Sequence, residues 1–203
     1  VQPGMTGSLI VHQQPLDREE ARYAVLRAPL DGGGELVYDD VRRLGTILLL
    51  DPNGWQEYDA AIGPEPLAPD FTPAGLADAL RGSRQYVKKV LMDQRRLAGV
   101  GNIYAQEALF AAGIDPSRPA NALSPAEYGA LHRELRRILK AAIASNGTTI
   151  RDYRTGTGES GGFQLELQVY GREGEPCRVC GTTLTGTHTL DGRITVFCHH
   201  CQD

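Results

Sequence analysis

Four cysteines fall within the last 27 residues as Cys177-x2-Cys180, seventeen residues, then Cys198-x2-Cys201, and the chain has no others. Two such knuckles on a spacer of roughly 15–20 residues match the ligand pattern of a tetrahedral four-thiolate zinc site. A segment this short cannot bury enough apolar surface to fold by itself, so a bound ion has to supply the free energy. Between the knuckles, residues 182–184, 187–190 and 194–197 are short strand-like runs around Asp191-Gly192, a hairpin signal. The pattern predicts a zinc-stapled β-hairpin holding one structural Zn2+. Two disulfides, or iron on the same ligands, are the competing uses of four cysteines, and no targeting signal opens the chain to favour the first. His188, His199 and His200 read as surface histidines, because four thiolates already fill a tetrahedron.

At 203 residues the chain can hold one large domain or two small ones with a real core. No apolar run approaches the roughly 18 residues of a membrane span, so no membrane partner is expected. The first residue is Val1, and the sequence opens directly on a strand-like stretch. The expectation is therefore a chain whose beginning is missing. The net charge of −4 argues against a nucleic-acid partner until the halves are separated. Residues 1–80 hold 5 Lys/Arg against 13 Asp/Glu, whereas residues 81–203 hold 16 against 12. Such asymmetry accompanies polyanion binding by the basic half, and it also occurs as ordinary surface variation.

Residues 1–58 read as strands, at 8–12, 21–28, 34–39 and 46–51, separated by Asp31-Gly32-Gly33-Gly34 and Asp51-Pro52-Asn53-Gly54. Pro64, Pro66, Pro69 and Pro73 then exclude regular structure and mark a boundary. Helical periodicity follows. Thr72-Pro73 opens a helix to Leu80, and Ser83 caps a second over 84–97, stopped by Gly99 and Gly101. Asn102 starts a third to Ala112, stopped by Gly113. Ser124-Pro125 with Glu127 opens a fourth, ending at Asn146-Gly147, with Leu131, Leu135, Ile138, Leu139, Ala142 and Ile143 as its apolar stripe. A short helix is expected over 149–154, then a Gly-rich loop over 155–162.

Three places offer chemistry. The turn Ala98-Gly99-Val100-Gly101-Asn102 leads into a helix, and free N–H groups at such a terminus bind phosphate; Asn102 is equally an ordinary N-cap. Arg42-Arg43 precede Leu44, and Met5 sits in an earlier Gly-rich turn. Proteins that kink DNA insert apolar wedges of this kind, although Leu44 in a core is the simpler reading. Arg193 stands beside the Asp191-Gly192 turn, where an arginine reaches a phosphate or is only a tip charge. Lys88-Lys89 and Arg95-Arg96 either extend a basic track or form a solvated helix face.

Together these pieces resemble bacterial formamidopyrimidine-DNA glycosylase. The resemblance rests on Gln2-Pro3-Gly4-Met5-Thr6-Gly7-Ser8-Leu9, Asp40-Val41-Arg42-Arg43-Leu44-Gly45, Leu91-Met92-Asp93-Gln94 and Gly99-Val100-Gly101-Asn102-Ile103-Tyr104-Ala105. It extends through Leu167-Gln168-Val169-Tyr170-Gly171-Arg172-Glu173-Gly174-Glu175-Pro176-Cys177 to Cys198-x2-Cys201-Gln202, in order over nearly the whole chain.

The resemblance implies an α+β enzyme with four parts. These are an incomplete antiparallel β-sandwich (1–62), a helix–two-turn–helix domain (63–154), a lesion-capping loop and connector (155–169) and a zinc finger (170–203). It implies a bacterial cytoplasmic monomer acting on double-stranded DNA with oxidised bases or abasic sites. Met5 would fill the void left by an extruded base, Arg42 would bond the estranged cytosine, and Leu44 would wedge beside it. Lys88, Asn102 and Arg193 would grip phosphates, and Tyr170 would lie beyond the capping loop. Cys177, Cys180, Cys198 and Cys201 would hold the zinc.

Three departures matter. The family's N-terminal proline nucleophile, catalytic glutamate and sandwich lysine have no counterpart here. Leu44 stands where many members carry phenylalanine, and Glu159 where some carry lysine. Removal of oxidised purines with strand nicking by β,δ-elimination is the expected activity. A non-catalytic DNA-binding fragment and the related glycosylase for oxidised pyrimidines are the alternatives.

Overall fold

The computed structural model describes residues 1–4, 6–148 and 161–203. Met5, the helix expected over 149–154, and residues 155–160 of the capping loop with Glu159 lie outside the described residues. The chain forms two compact units. Unit 1 comprises residues 1–51 and 142–166, and unit 2 comprises residues 52–141 and 167–203.

Unit 1 is built on a three-stranded antiparallel sheet of β1 (Gly7–His12), β2 (Ala24–Pro29) and β3 (Glu35–Asp40), in the order β1-β3-β2. The Leu36-Val37-Tyr38 run takes the central strand, where Val37 and Tyr38 are buried. Leu9 pairs with Tyr38 and Val11 with Leu36, and a register shift between Ala24 and Leu26 marks a bulge in β2. Glu35 accepts two bonds from the Arg27 guanidinium, at 2.6 and 2.8 Å, and these hold its carboxyl below the usual range. The strand expected over 21–28 begins only at Ala24, because Asp17 Oδ1 accepts the N–H of Glu19 and Glu20 and winds the preceding residues into turns. The strand expected over 46–51 is absent. Thr46 bridges Gln2, but among the described residues, 47–51 belong to no strand, so their apolar character finds no ladder there to join.

Unit 2 opens with α1 (Pro52–Ala60), where the sequence pattern predicts a turn. Proline at a first helical position costs no hydrogen bond, and here it starts a helix. Helix α2 (Pro73–Leu80) begins as expected, with Thr72 Oγ1 accepting from the Gly75 N–H. The helix expected over 84–97 shrinks to α3 (Val87–Leu91). Its first part is drawn into extended pairing instead, with Ala120 N–H bonded to Gln85 O, Asn121 N–H to Ser83 O and Val87 N–H to Arg118 O. Tertiary bonds override propensity there. Helix α4 (Asn102–Ala112) ends where Gly113 returns its N–H to Leu109 and Phe110. Its Ala105–Phe110 stretch is buried all round, as expected of a core helix.

Helix α5 (Pro125–Ala144) carries a complete capping box. Glu127 N–H donates to Ser124 Oγ at 3.3 Å, and Ser124 N–H donates to Glu127 Oε2 at 2.6 Å. Arg118 also pairs with Glu127. The stripe of Leu131, Leu135, Ile138, Leu139 and Ala142 is buried, whereas Ile143, expected with it, is 65% exposed. Arg118 first, then the Ser124 bonds, pull the Glu127 carboxyl from 4.5 down to about 2. A carboxylate depressed in the folded state stabilises above its unfolded pKa and loses that contribution as pH falls through the folded value. Glu127→Gln is therefore expected to cost about 2 kcal/mol at pH 7. Urea unfolding of both proteins should show this difference vanish as pH falls from about 4.5 towards 2.

The C-terminal hairpin pairs β4 (Thr185–Thr187) with β5 (Thr195–Phe197), with Gly186 opposite Val196. Its connection runs over residues 188–194, wider than the two-residue Asp191-Gly192 turn expected. The physical reason is Asp191, whose side chain turns inward rather than sitting at a tip. Phe110 of α4, Val169, Leu184 and Val196 form one apolar cluster with Cys177 and Cys198.

Candidate nucleic-acid interface and metal centre

In unit 1, β3 ends at Asp40, whose buried carboxylate organises the loop after it. It accepts from Thr6 Oγ1 at 2.6 Å, Gly45 N–H at 2.7 Å and Tyr38 Oη at 3.4 Å, and these bonds lower its pKa from the usual carboxylate value. Thr6 Oγ1 in turn accepts from the Arg42 N–H at 3.2 Å. Gly45 is required, because a Cβ there would stand 1.8 Å from Tyr38 Oη and 2.7 Å from Gln2 O. Arg43 adopts a left-handed φ of 51°, and Arg42 is exposed beside it. Leu44 is 60% exposed, which removes the reading that places it in a core. A small polar cluster thus presents a cation and an apolar side chain two residues apart on one loop.

In unit 2, Gln94 holds the glycine turn before α4. Its Nε2 donates to Val100 O at 2.8 Å, and its Oε1 accepts from the Gly99 N–H at 2.8 Å. Gly99 has a φ of 73°, so the turn needs glycine there. Gly101, in extended backbone, is the N-cap, which makes Asn102 the first helical residue rather than the cap. Asn102 Nδ2 donates to Ile194 O at 3.2 Å, and Gln106 Nε2 donates to the same oxygen at 3.0 Å. Gln106 Oε1 also accepts from the Val196 N–H at 2.7 Å. The turn and the 188–194 loop therefore meet on one carbonyl.

Arg193 projects from that loop, with its N–H on Asp191 Oδ1 at 3.1 Å and Nη1 3.9 Å from Met92 Sδ. Beside it a cleft of ≈ 600 Å³ is lined by Lys89, Arg95, Arg96 and Arg193 together with Asp93 and Asp191, and Asp93 pairs with Arg95 at 3.2 Å and Arg96 at 3.8 Å. Lys88 lies elsewhere than on this surface. Its side chain is 0% exposed, with Nζ 3.0 Å from Asp191 Oδ1 and 2.8 Å from Thr195 Oγ1. Burial lowers its pKa, against the pull of Asp191.

Tyr170 is half-buried, and its N–H donates to Glu107 Oε1 at 2.8 Å. The same carboxylate accepts from Val169 at 3.0 Å and, through Oε2, from Gln168 at 2.8 Å. Sequence reasoning gave no role to Glu107 or Gln106, and to Asp191 only a place in the hairpin turn. A carboxylate inside the apolar run of α4 was the available signal, since buried charge demands partners.

The four cysteine sulfurs lie within 4.8 Å of one another, and none of the four is in a disulfide. Cys180 Sγ and Cys198 Sγ approach to 3.4 Å, far beyond the roughly 2.05 Å of a disulfide. A tetrahedron of bonds about 2.3 Å long sets its sulfurs about 3.8 Å apart, so the cluster suits a metal ion. Hydrogen bonds from Thr182 draw the Cys180 thiol down to about 6, while burial pushes Cys198 up. Gln202 closes the knuckle, accepting from Cys198 N–H at 2.9 Å and donating to Ile114 O at 2.9 Å.

Among the expected site residues, Lys88, Asn102, Tyr170, Arg193 and the four cysteines belong to unit 2, and Arg42 and Leu44 to unit 1. Among the described residues, no helix is long and apolar enough to cross a membrane.

Residues 62–154 match the model of the formamidopyrimidine-DNA glycosylase H2TH domain. The Chloroflexus aurantiacus formamidopyrimidine-DNA glycosylase is 42% identical over 198 residues, 98% of this chain and 70% of that protein. The MutM (Fpg) protein of Thermus thermophilus is 39% identical with a TM-score of 0.85, over 98% of this chain and 73% of that one. A Lactococcus lactis Fpg mutant in complex with Fapy-dG-containing DNA is 35% identical with a TM-score of 0.89, over 99% and 73% of the two chains. With that likeness running through the Asp40 loop, the glycine turn and the cysteine cluster alike, the chain belongs to the formamidopyrimidine-DNA glycosylase family.

Proposed function

We propose that this protein is a base-excision repair enzyme of duplex DNA. It removes oxidised purines, 8-oxoguanine and formamidopyrimidines, and then nicks the abasic strand by β,δ-elimination. The observation that carries the reading is the meeting of Asn102 and the Arg193 loop on the Ile194 carbonyl, next to a cleft where four cationic side chains outnumber two carboxylates. A helix start and a guanidinium held together are suited to successive phosphates.

Extrusion of a base costs a few kcal/mol, which phosphate clamps and an apolar wedge offset. Asn102 and Arg193 supply the clamps. Leu44 wedges into the stack and Arg42 takes up the hydrogen bonds of the estranged cytosine, with Met5 in the vacated space. Leucine provides the wedge without aromatic stacking. Tyr170, held by Glu107, borders the capping loop. The functional division follows 1–62, 63–154, 155–169 and 170–203. Cys177, Cys180, Cys198 and Cys201 hold one Zn2+, which supplies folding free energy and no chemistry at the base. In the family the attacking group is a secondary amine that forms a Schiff base with the sugar C1′, and no residue of 1–203 is assigned that part. A monomer in the bacterial cytoplasm is the working form.

The test is release of 8-oxoguanine from an 8-oxoguanine·cytosine duplex by the purified protein, with borohydride trapping and an intact mass. Base release with a covalent adduct is the expected result. Tight, salt-sensitive binding with neither release nor adduct makes the protein a binding fragment. Preference for oxidised pyrimidines moves it to the sister activity.

A further inference from the structure

Lys88 is the one expected phosphate contact that the fold turns away from solvent, and its partners say why. Its ammonium meets Asp191 Oδ1 at 3.0 Å and Thr195 Oγ1 at 2.8 Å, with the carboxylate side chain only 7% exposed. That same Oδ1 accepts the Arg193 N–H at 3.1 Å. One residue further on, Ile194 O is fixed by Asn102 and Gln106 of α4. The backbone of Arg193 is therefore pinned on both sides, by α3 through Lys88–Asp191 and by α4 through Ile194. Its guanidinium points outward, with Nη1 resting 3.9 Å from the Met92 sulfur.

We propose that the buried Lys88–Asp191 pair is a positioning device for Arg193, and that Lys88 reaches DNA only through it. This rests on the reading of Arg193 as a phosphate contact. A side chain launched from a fixed backbone has fewer states to lose when it meets a phosphate, and such preorganisation appears as affinity. A charge pair inside the fold also explains why α3 carries two adjacent lysines with different fates. Lys88 is buried under the loop, and Lys89 lines the cleft.

The test is a cycle between Lys88→Met/Asp191→Leu, which removes both charges together, and Arg193→Ala. Replacing a buried pair by apolar residues of similar size generally preserves a fold. Binding to a duplex with a tetrahydrofuran abasic analogue is measured across salt concentrations. In the wild-type background the double variant is expected to weaken binding about 10-fold and to lower the salt slope by about one. In the Arg193→Ala background it should add nothing. A loss that persists without Arg193 means that Lys88 meets DNA directly, and overturns the proposal. So does wild-type binding by the double variant.

If Arg193→Ala itself leaves binding unchanged, the phosphate reading has failed. Amide exchange then decides the positioning: faster exchange over 190–194 in the double variant, with 198–203 unaffected, supports it, and unchanged exchange overturns it. Should the double variant lose its metal, Asp191→Glu takes its place in the same cycle. Its extra methylene displaces the shared oxygen while keeping the charge.

Discussion

Replacing Cys198 by serine is expected to empty the metal site and unfold the C-terminal hairpin. Cys198 is 0% exposed and belongs to the apolar cluster with Phe110, Val169, Leu184 and Val196. Structural zinc contributes roughly 10–16 kcal/mol of apparent binding free energy in small domains, and the ion proposed for these four cysteines would supply folding free energy in the same way. Metal analysis should fall from one zinc per chain to near none, and amide exchange should become fast across 177–203. Because Arg193 and Ile194 ride on that hairpin, affinity for damaged duplex should drop by about 100-fold or more, in keeping with several lost phosphate contacts. Chelation of the wild-type protein should reproduce both effects. A serine variant that retains its zinc and its exchange protection would sink the assignment of Cys198 as a ligand.

Glu107→Ala is the second large effect. Three backbone N–H groups, of Gln168, Val169 and Tyr170, end on this one carboxylate. Bonds to a charged acceptor contribute about 1.5–3 kcal/mol each, less than additively when shared, so the expected loss is about 4 kcal/mol. Glu107→Gln should recover only part of that, because its NH2 faces donors where an oxygen stood. Urea unfolding measures the loss. Exchange at 168–170 locates it, and protection that survives in Glu107→Ala would rule the carboxylate out as the anchor.

Signals carried by local chemistry were legible in the sequence. Ser124 with Glu127, Thr72 before Pro73 and Gly113 after α4 each satisfy backbone groups within a turn of themselves, so nearby residues state the outcome. The cysteine cluster was legible for a different reason, because two Cys-x2-Cys pairs on one spacer are themselves a ligand pattern. What failed depended on distant partners. Residues 84–86 carry helical periodicity, yet the backbone bonds around them go to 116–121, about thirty residues away. Residues 46–51 look like a strand, yet among the described residues they join no named strand, and Thr46 makes an isolated bridge to Gln2. Lys88 and Lys89 are indistinguishable in sequence, and only Asp191, 103 residues downstream, selects the one that is buried. Leu44 offers the reverse case. Its exposure follows from Asp40 and Gly45 fastening the loop beneath it, which no count of hydrophobic residues conveys.

The order in which the chain visits its two units has a practical consequence. It runs 1–51 in the first, 52–141 in the second, 142–166 back in the first, and 167–203 in the second again. No single cleavage of the polypeptide can release either unit whole. Anyone wishing to study the cysteine-bearing unit alone must both remove residues 1–51 and join Ala141 to Leu167 through a linker that replaces the returning stretch. The same threading makes the two units partners in inheritance: an exchange between related genes at any one point between residues 52 and 166 transplants parts of both.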